Sequence, residues 1–180
     1  MKKTYFTFLC LLLVSNITVL SQAYLGYTND IANLRGGAGT EYSILRELPK
    51  FNNLFIFSKT LDNNYYHVID IETSTEGYVF KDYVEFDKVI PKSSEKIFQP
   101  SGKISSLNPE ISITNQTDLE LTLILNNSNY TFNPNETRRI SVVAGNYDFV
   151  ASCPGVIPYY GSDLLEKNIL YTWQFYIISK

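Results

Sequence analysis

The sequence contains very few of the residues that usually build a catalytic or metal centre. His67 is the only histidine, and the two cysteines are Cys10 and Cys153. A zinc hydrolase needs about three protein ligands, usually with more than one histidine, so no metal is expected. A serine or cysteine nucleophile needs a base, and His67 and Cys153 fall in different predicted domains. We therefore expect a non-enzymatic protein with no catalytic residue and no cofactor.

The sequence also lacks the motif of a phosphate-binding loop. The stretch Gly36-Gly37-Ala38-Gly39 lacks a following Lys-Ser/Thr pair and does not open a predicted helix. Its three glycines indicate a tight turn or backbone with positive φ. Paired carboxylates stay an open alternative because the 18 acidic residues could meet in space.

The only long apolar run is near the start of the chain. Lys2 and Lys3 precede the apolar residues 5–14, and Ser21-Gln22-Ala23 has small residues at a cleavage site. This pattern predicts a signal peptide over residues 1–23, with a retained anchor as the alternative. The run is shorter than the ~20 residues of a spanning helix. We expect a secreted or periplasmic protein that has no membrane insertion after cleavage.

Charge and thiol content narrow the choice of partners. Without Lys2 and Lys3 the chain has 13 basic and 18 acidic residues, a net charge near −5. Nucleic acid is therefore not expected as a partner, because it attracts basic patches. Only Cys153 follows the leader, so no intramolecular disulfide can form. A buried thiol is favoured over an intermolecular disulfide, and the oligomeric state is left open.

The composition and the alternation of side chains favour strands throughout the rest of the chain. The 14 Tyr and 11 Phe residues suit half-buried pleated surfaces. In the first half the pattern predicts a helical turn at residues 81–84 and strands at residues 31–35, 44–48, 54–59, 65–71 and 75–80.

The second half shows a cleaner period of two. The polar, proline-interrupted residues 88–109 indicate a flexible linker. Residues 110–180 then carry apolar stripes, of which the longest comprises Ile169, Tyr171, Trp173, Phe175 and Ile177. Six or seven such strands predict an antiparallel β-sandwich, immunoglobulin-like or transthyretin-like. The fold class is therefore all-β in two domains.

Residues 24–87 resemble a known family. The motifs that carry the resemblance are Asn33-Leu34-Arg35-x-Gly37-x-Gly39-Thr40-x-Tyr42, Leu48-Pro49-Lys50, Tyr65-Tyr66-His67-Val68, Gly77-Tyr78-Val79 and Tyr83-Val84. In order and spacing they are similar to the bacterial SH3-like (SH3b) domain, although tryptophan is usual at Tyr65 and Tyr78. The resemblance implies a small, strongly bent N-terminal β-barrel.

Members of that family often bind peptidoglycan cross-bridges or other cell-envelope peptides. The resemblance therefore implies recognition of a cell-wall peptide or of another envelope protein. Flat aromatic rings beside a polar loop would line the groove. The candidate ligand-binding residues are Arg35, Glu41, Tyr42, Tyr65, Tyr66, Tyr78 and Tyr83. The alternative is a structural or assembly subunit of an exported envelope complex with no small ligand.

Overall fold

The expected all-β fold class is confirmed. The structure is a computed structural model that describes residues 22–177, so the expected leader lies almost wholly outside the described residues. Besides the short 3-10 helix Lys81–Tyr83, the described chain forms fifteen strands: β1 Ala23–Thr28, β2 Ala32–Arg35, β3 Ile44–Leu48, β4 Asn53–Ile56, β5 Tyr65–Asp70, β6 Thr75–Phe80, β7 Val84–Ile90, β8 Gln99–Lys103, β9 Glu110–Asn115, β10 Leu121–Leu125, β11 Ser128–Phe132, β12 Thr137–Ser141, β13 Gly145–Ser152, β14 Tyr159–Leu165 and β15 Ile169–Phe175.

Strands β1 to β7 form one antiparallel sheet, which we call the first unit. Their order in the sheet is β3-β2-β6-β5-β4-β1-β7. Alternate residues of these strands point to one face and form a buried cluster of Ala32, Leu34, Leu48, Leu54, Ile56, Val68, Val79 and Val84. The opposite face carries Tyr65, His67 and Ile69 of β5, since successive side chains of a strand alternate.

Strands β8 to β15 form two four-stranded sheets, which together we call the second unit. Their orders are β11-β10-β13-β14 and β12-β9-β15-β8. Both sheets contribute to one apolar core that includes Leu123, Phe149, Tyr171 and Trp173. One pair departs from the expected antiparallel arrangement, because β15 runs parallel to β9. The chain reaches β15 by crossing through the other sheet, and a crossover permits parallel neighbours.

The segment 88–109, expected to be a flexible linker, contains the end of β7 and all of β8. Phe98 is completely buried in the core of the second unit, and its backbone N–H donates to Asp163 at 3.1 Å. The backbone N–H of Ser93 donates to the carbonyl of Tyr160 at 3.0 Å. Most of this segment is therefore fixed to the second unit by packing and hydrogen bonds.

The two units pack against each other through a third apolar cluster. This inter-unit core consists of Ala23, Phe55, Ile69, Ile71, Ile124, Val150 and Tyr160. At its margin, Ser74 Oγ donates to Ser152 Oγ at 2.6 Å and Gly155 N–H donates to the carbonyl of Ile71 at 2.8 Å. Strands β10, β13 and β14 therefore cover the face of the first sheet that carries Tyr65, His67 and Ile69.

The first strand begins at Ala23, the last residue of the expected leader. Ala23 is buried, and its backbone N–H donates to the hydroxyl of Tyr160 at 3.1 Å. That hydroxyl donates in turn to the carbonyl of Ile90 at 2.7 Å. Tyr160 therefore joins the start of β1, the end of β7 and the second unit. No helix among residues 22–177 has the length and apolar character needed to span a membrane.

Candidate functional site

A row of aromatic side chains crosses the first unit on the face that looks toward the second unit. Tyr78 of β6 is the register partner of both Arg35 in β2 and His67 in β5. Phe57, directly after β4, donates its backbone N–H to the carbonyl of His67. The His67 ring stacks on Phe57 at 4.0 Å between centroids and on Tyr78 at 4.9 Å. We call Phe57, His67 and Tyr78 the aromatic row.

Glu76 joins the aromatic row to the second unit. The Nε2 atom of His67 lies 2.7 Å from one carboxylate oxygen of Glu76, so the imidazole N–H donates to it. Asn129 of β11 donates to the other oxygen at 2.8 Å. The hydrogen bond from His67, with a smaller contribution from Asn129, holds the pKa of Glu76 below its usual value despite partial burial.

A cavity of about 420 Å³ opens beside these contacts. We call it the inter-unit cleft; its walls are Phe57, His67, Glu76, Tyr78, Ile124, Asn126, Asn127 and Asn129. Three rings and the Glu76 carboxylate of the first unit form one side, and Ile124 with three asparagine side chains of the second unit forms the other. Such a combination offers apolar contact area together with a few polar groups that fix orientation, as in small-ligand sites.

The lowered pKa of Glu76 makes the stability of the fold depend on pH. A carboxylate whose pKa is lower in the folded than in the unfolded state stabilises the fold above its unfolded pKa. That contribution is lost as the pH falls through the folded value. We expect Glu76→Gln to flatten the acid limb of the stability profile below about pH 4.5, measured by urea denaturation from pH 3 to 7. An unchanged acid limb would contradict this assignment.

The glycine-rich loop 36–43 lies beside the row and is held by its own contacts. One guanidinium nitrogen of Arg35 donates to the carbonyls of Thr40 at 3.2 Å and Tyr42 at 2.9 Å. Of the described glycines, only Gly155 has a positive φ, so the loop glycines serve another purpose. A Cβ on Gly37 would lie 2.5 Å from the Tyr42 ring. Close approach of this ring, not an unusual backbone angle, therefore requires glycine.

Tyr78 lies near two acidic side chains and is the register partner of the basic residue Arg35. Burial raises the pKa of Tyr78 most, and the nearby groups Asp62, Glu76 and Tyr42 raise it further. Tyr42 itself is 47% exposed and lies in the loop. The exposed Tyr42 ring and the half-buried Tyr78 ring therefore offer flat contact area at this point.

The remaining predicted residues divide between core and surface. Tyr65 is 6% exposed and packs edge-to-face on Phe80, so its ring is not available to a ligand. Tyr66 points to the other face of β5 and packs beside Phe86. Tyr83 is exposed beyond β6, and the exposed Glu41 covers Gly39. Of the seven predicted residues, the structure brings Arg35, Tyr42 and Tyr78 together, with Glu41 on the adjacent loop.

Cys153 and His67, the two side chains considered above as a nucleophile and a base, have different environments. Cys153 is buried in the second unit, and this burial raises the pKa of its thiol, which favours the unreactive protonated form. The His67 ring stacks on Phe57 and Tyr78, and its Nε2 atom is hydrogen-bonded to Glu76. Within residues 22–177, no three His, Cys, Asp or Glu side chains are placed to hold a metal ion.

Sequence reasoning missed the second-unit side of the cleft and three members of its first-unit side. Phe57, His67 and Glu76 were not candidate ligand-binding residues, and neither were Asn127 and Asn129. Strand register would have placed Glu76 and Tyr78 on the same face as His67. Nothing in the sequence indicates that the β10–β11 turn covers this face.

Comparisons of the chain with protein-family models, with curated proteins and with solved structures find no match.

Proposed function

We propose that this chain is an exported, non-enzymatic binding protein that recognises a cell-envelope peptide of the peptidoglycan type. In this proposal residues 24–87 are an SH3-like (SH3b) barrel, and the second unit is an immunoglobulin-like or transthyretin-like sandwich. The ligand lies along Tyr42 and Tyr78 and enters the inter-unit cleft. The observation that carries the proposal is the aromatic row, whose edges line that cleft beside Glu76 and the asparagine side chains.

The geometry supports an extended ligand over a compact one. The exposed ring of Tyr42, the half-buried ring of Tyr78 and the cleft follow one another across strands β2, β6 and β5. A peptide backbone could exchange hydrogen bonds with amide and carboxylate groups along this path, while flat rings provide contact area at a low entropy cost.

The second unit contributes directly to this site. Asn126, Asn127 and Asn129 line the cleft, and Asn129 holds Glu76. In the proposal, the second unit thus completes a binding surface of the first unit and does not act only as a spacer. A ligand that fits the cleft should therefore need both units.

Binding to purified wall fragments tests the proposal. We expect the double variant Tyr42→Ala/Tyr78→Thr to lose at least about 90% of the protein retained by wall fragments in a pull-down, because two of the contact rings are removed. Threonine suits a strand, so β6 should be retained. Tyr65 is left intact because it packs in the interior.

The control variant is Tyr176→Ala, which removes a more exposed ring from the second unit, far along the chain from the row. It should be retained as well as the wild-type protein. Equal retention of the double variant and the wild type would place the site elsewhere. A wild-type protein that never binds would reject the ligand class.

One observation favours the alternative role as an assembly subunit. An open, mostly apolar groove of about 490 Å³ lies at one end of the second unit, and its rim includes the exposed side chains of Ile157, Tyr159, Tyr176 and Ile177. Several large exposed apolar residues around one groove are typical of protein-contact surfaces. Co-purification of a protein partner that Tyr176→Ala abolishes, without any wall binding, would support this role.

A further inference from the structure

A second group of aromatic rings lies on the opposite face of the first unit from the aromatic row. Tyr24 of β1 packs edge-to-face on Phe86 of β7, with ring centroids 5.3 Å apart. Tyr66 of β5 packs on the same Phe86 ring at 5.1 Å. All three rings border the buried cluster of the first unit and are partly exposed. We call Tyr24, Tyr66 and Phe86 the aromatic cage.

A cation of the chain itself lies over two of the three rings of this cage. Lys59, in the connection between β4 and β5, places its ammonium group 4.9 Å from the Tyr24 centroid and 5.3 Å from the Phe86 centroid. Both distances lie within the range in which a ring attracts a cation. In the described part of the chain, Lys59 forms no ion pair with a carboxylate. Tyr24 and Phe86 are therefore the partners that the described chain provides for this charge.

The placement of Lys59 makes it replaceable. The residue is exposed and sits in a loop, whereas the rings belong to three strands of one sheet. A receptor built on strands and filled by an exposed side chain of a loop can accept a second group of the same chemistry when that group displaces the loop side chain. A lysine side chain that only covered apolar surface would make its contacts through its methylene groups and keep its ammonium in water.

We propose that the aromatic cage is a receptor for a primary alkylammonium group, such as the side chain of a lysine in a peptide. In the structure described here Lys59 fills it, so an incoming amine must compete with Lys59. This site is independent of the inter-unit cleft, because Tyr66 and His67 are adjacent in β5 and point to opposite faces.

The first experiment empties the cage in the whole chain. Lys59→Ala removes three methylene groups and the ammonium, which n-propylammonium can replace. We expect this variant to bind n-propylammonium at least about tenfold more tightly than the wild type, with shifts of the ring protons of Tyr24, Tyr66 and Phe86 in NMR spectra. Neutral 1-propanol should cause no such shifts.

A matched control is available in the same unit. The ammonium group of Lys50 lies over only one ring, that of Phe51, at 5.0 Å from its centroid. Lys50→Ala should gain no affinity for n-propylammonium, because one highly exposed ring is not a cage. Adding Tyr24→Leu to Lys59→Ala should abolish binding while amide spectra show that the fold is kept.

The second experiment uses the wild-type chain. A capped Gly-Lys-Gly peptide should move the ε-methylene protons of Lys59 away from the ring-shielded positions that the cage imposes. The same peptide with norleucine in place of lysine should leave them unchanged. Equal effects of both peptides, equal binding of 1-propanol and n-propylammonium, or no ring shifts in Lys59→Ala would each overturn the proposal.

Discussion

Asp70→Ala is expected to lower the free energy of unfolding by about 3 to 5 kcal/mol, because several buried or half-buried donors lose their common acceptor at about 1 to 3 kcal/mol each. The Asp70 side chain is completely buried at the end of β5. Asn52 donates to one carboxylate oxygen at 2.8 Å, and Arg46 lies 3.5 Å from the other. The hydroxyl of Thr73 and the backbone N–H of Glu72 donate to the same carboxylate. Alanine would leave these donors without their acceptor.

Urea denaturation at neutral pH measures this loss. Asp70→Asn keeps the shape but not the charge, so we expect a smaller loss of about 1 to 3 kcal/mol. The control is Asp87→Ala on β7, an exposed position where a change within about 0.5 kcal/mol is expected. If Asp70→Ala fell in the same range as the control, the carboxylate would not be holding the turns at residues 49–52 and 70–75 together.

The strands of the first unit could largely be predicted because local patterns decide them. Strands β3, β5 and β6 and the short helix lie within one residue of their predicted bounds. Strand β1 was missed because its burial does not alternate simply: it lies between β4 and β7 and carries a register shift between Leu25 and Gly26. A strand that packs on both faces has no period of two to detect.

The core of the second unit was also visible in the sequence. The predicted stripe of Tyr171 and Trp173, with Leu121, Leu123 and Phe149, is the observed core. Strand β8 was missed because Gln99–Lys103 contains proline and glycine and is exposed throughout. These residues form an edge strand, which tolerates both residue types and buries little.

The candidate site was only partly predictable because it depends on contact between the units. Ile124 and Val150 interrupt the outer faces of β10 and β13, and on the sequence alone they are single apolar residues in polar positions. In the structure they pack against Phe55 and Ile69 of the first unit. Periodicity identifies which residues share a face, but it does not identify what covers that face. The cleft could therefore not be predicted.

Val150→Asp is expected to uncouple the two units, which we consider the most informative change for function. Val150 is 8% exposed in the inter-unit core, opposite Ile124 in the register of β13 and β10. The residues packed around Val150 in that cluster are apolar, and Lys92, which lines the neighbouring cavity, is already paired with Asp148 at 2.7 Å, so a new carboxylate there would be buried without a free partner. Such burial costs several kcal/mol, roughly 3 or more. Separation of the two faces avoids this cost by returning the carboxylate to water.

The expected result is a change from one cooperative unfolding transition to two. Each unit keeps its own apolar core, so each can unfold by itself once the shared core is lost. Differential scanning calorimetry measures the number of transitions. The control is Val143→Asp, at a position 70% exposed in the second unit, which should keep the single transition of the wild type.

The same variant separates two views of the binding site. If the ligand needs the inter-unit cleft, Val150→Asp should lose wall binding although both units stay folded, because Asn127 and Asn129 move away from the aromatic row. Lys59 and the aromatic cage belong entirely to the first unit, so amine binding by the Lys59→Ala variant should survive in a chain that also carries Val150→Asp. Retained wall binding with two unfolding transitions would assign recognition to the first unit alone.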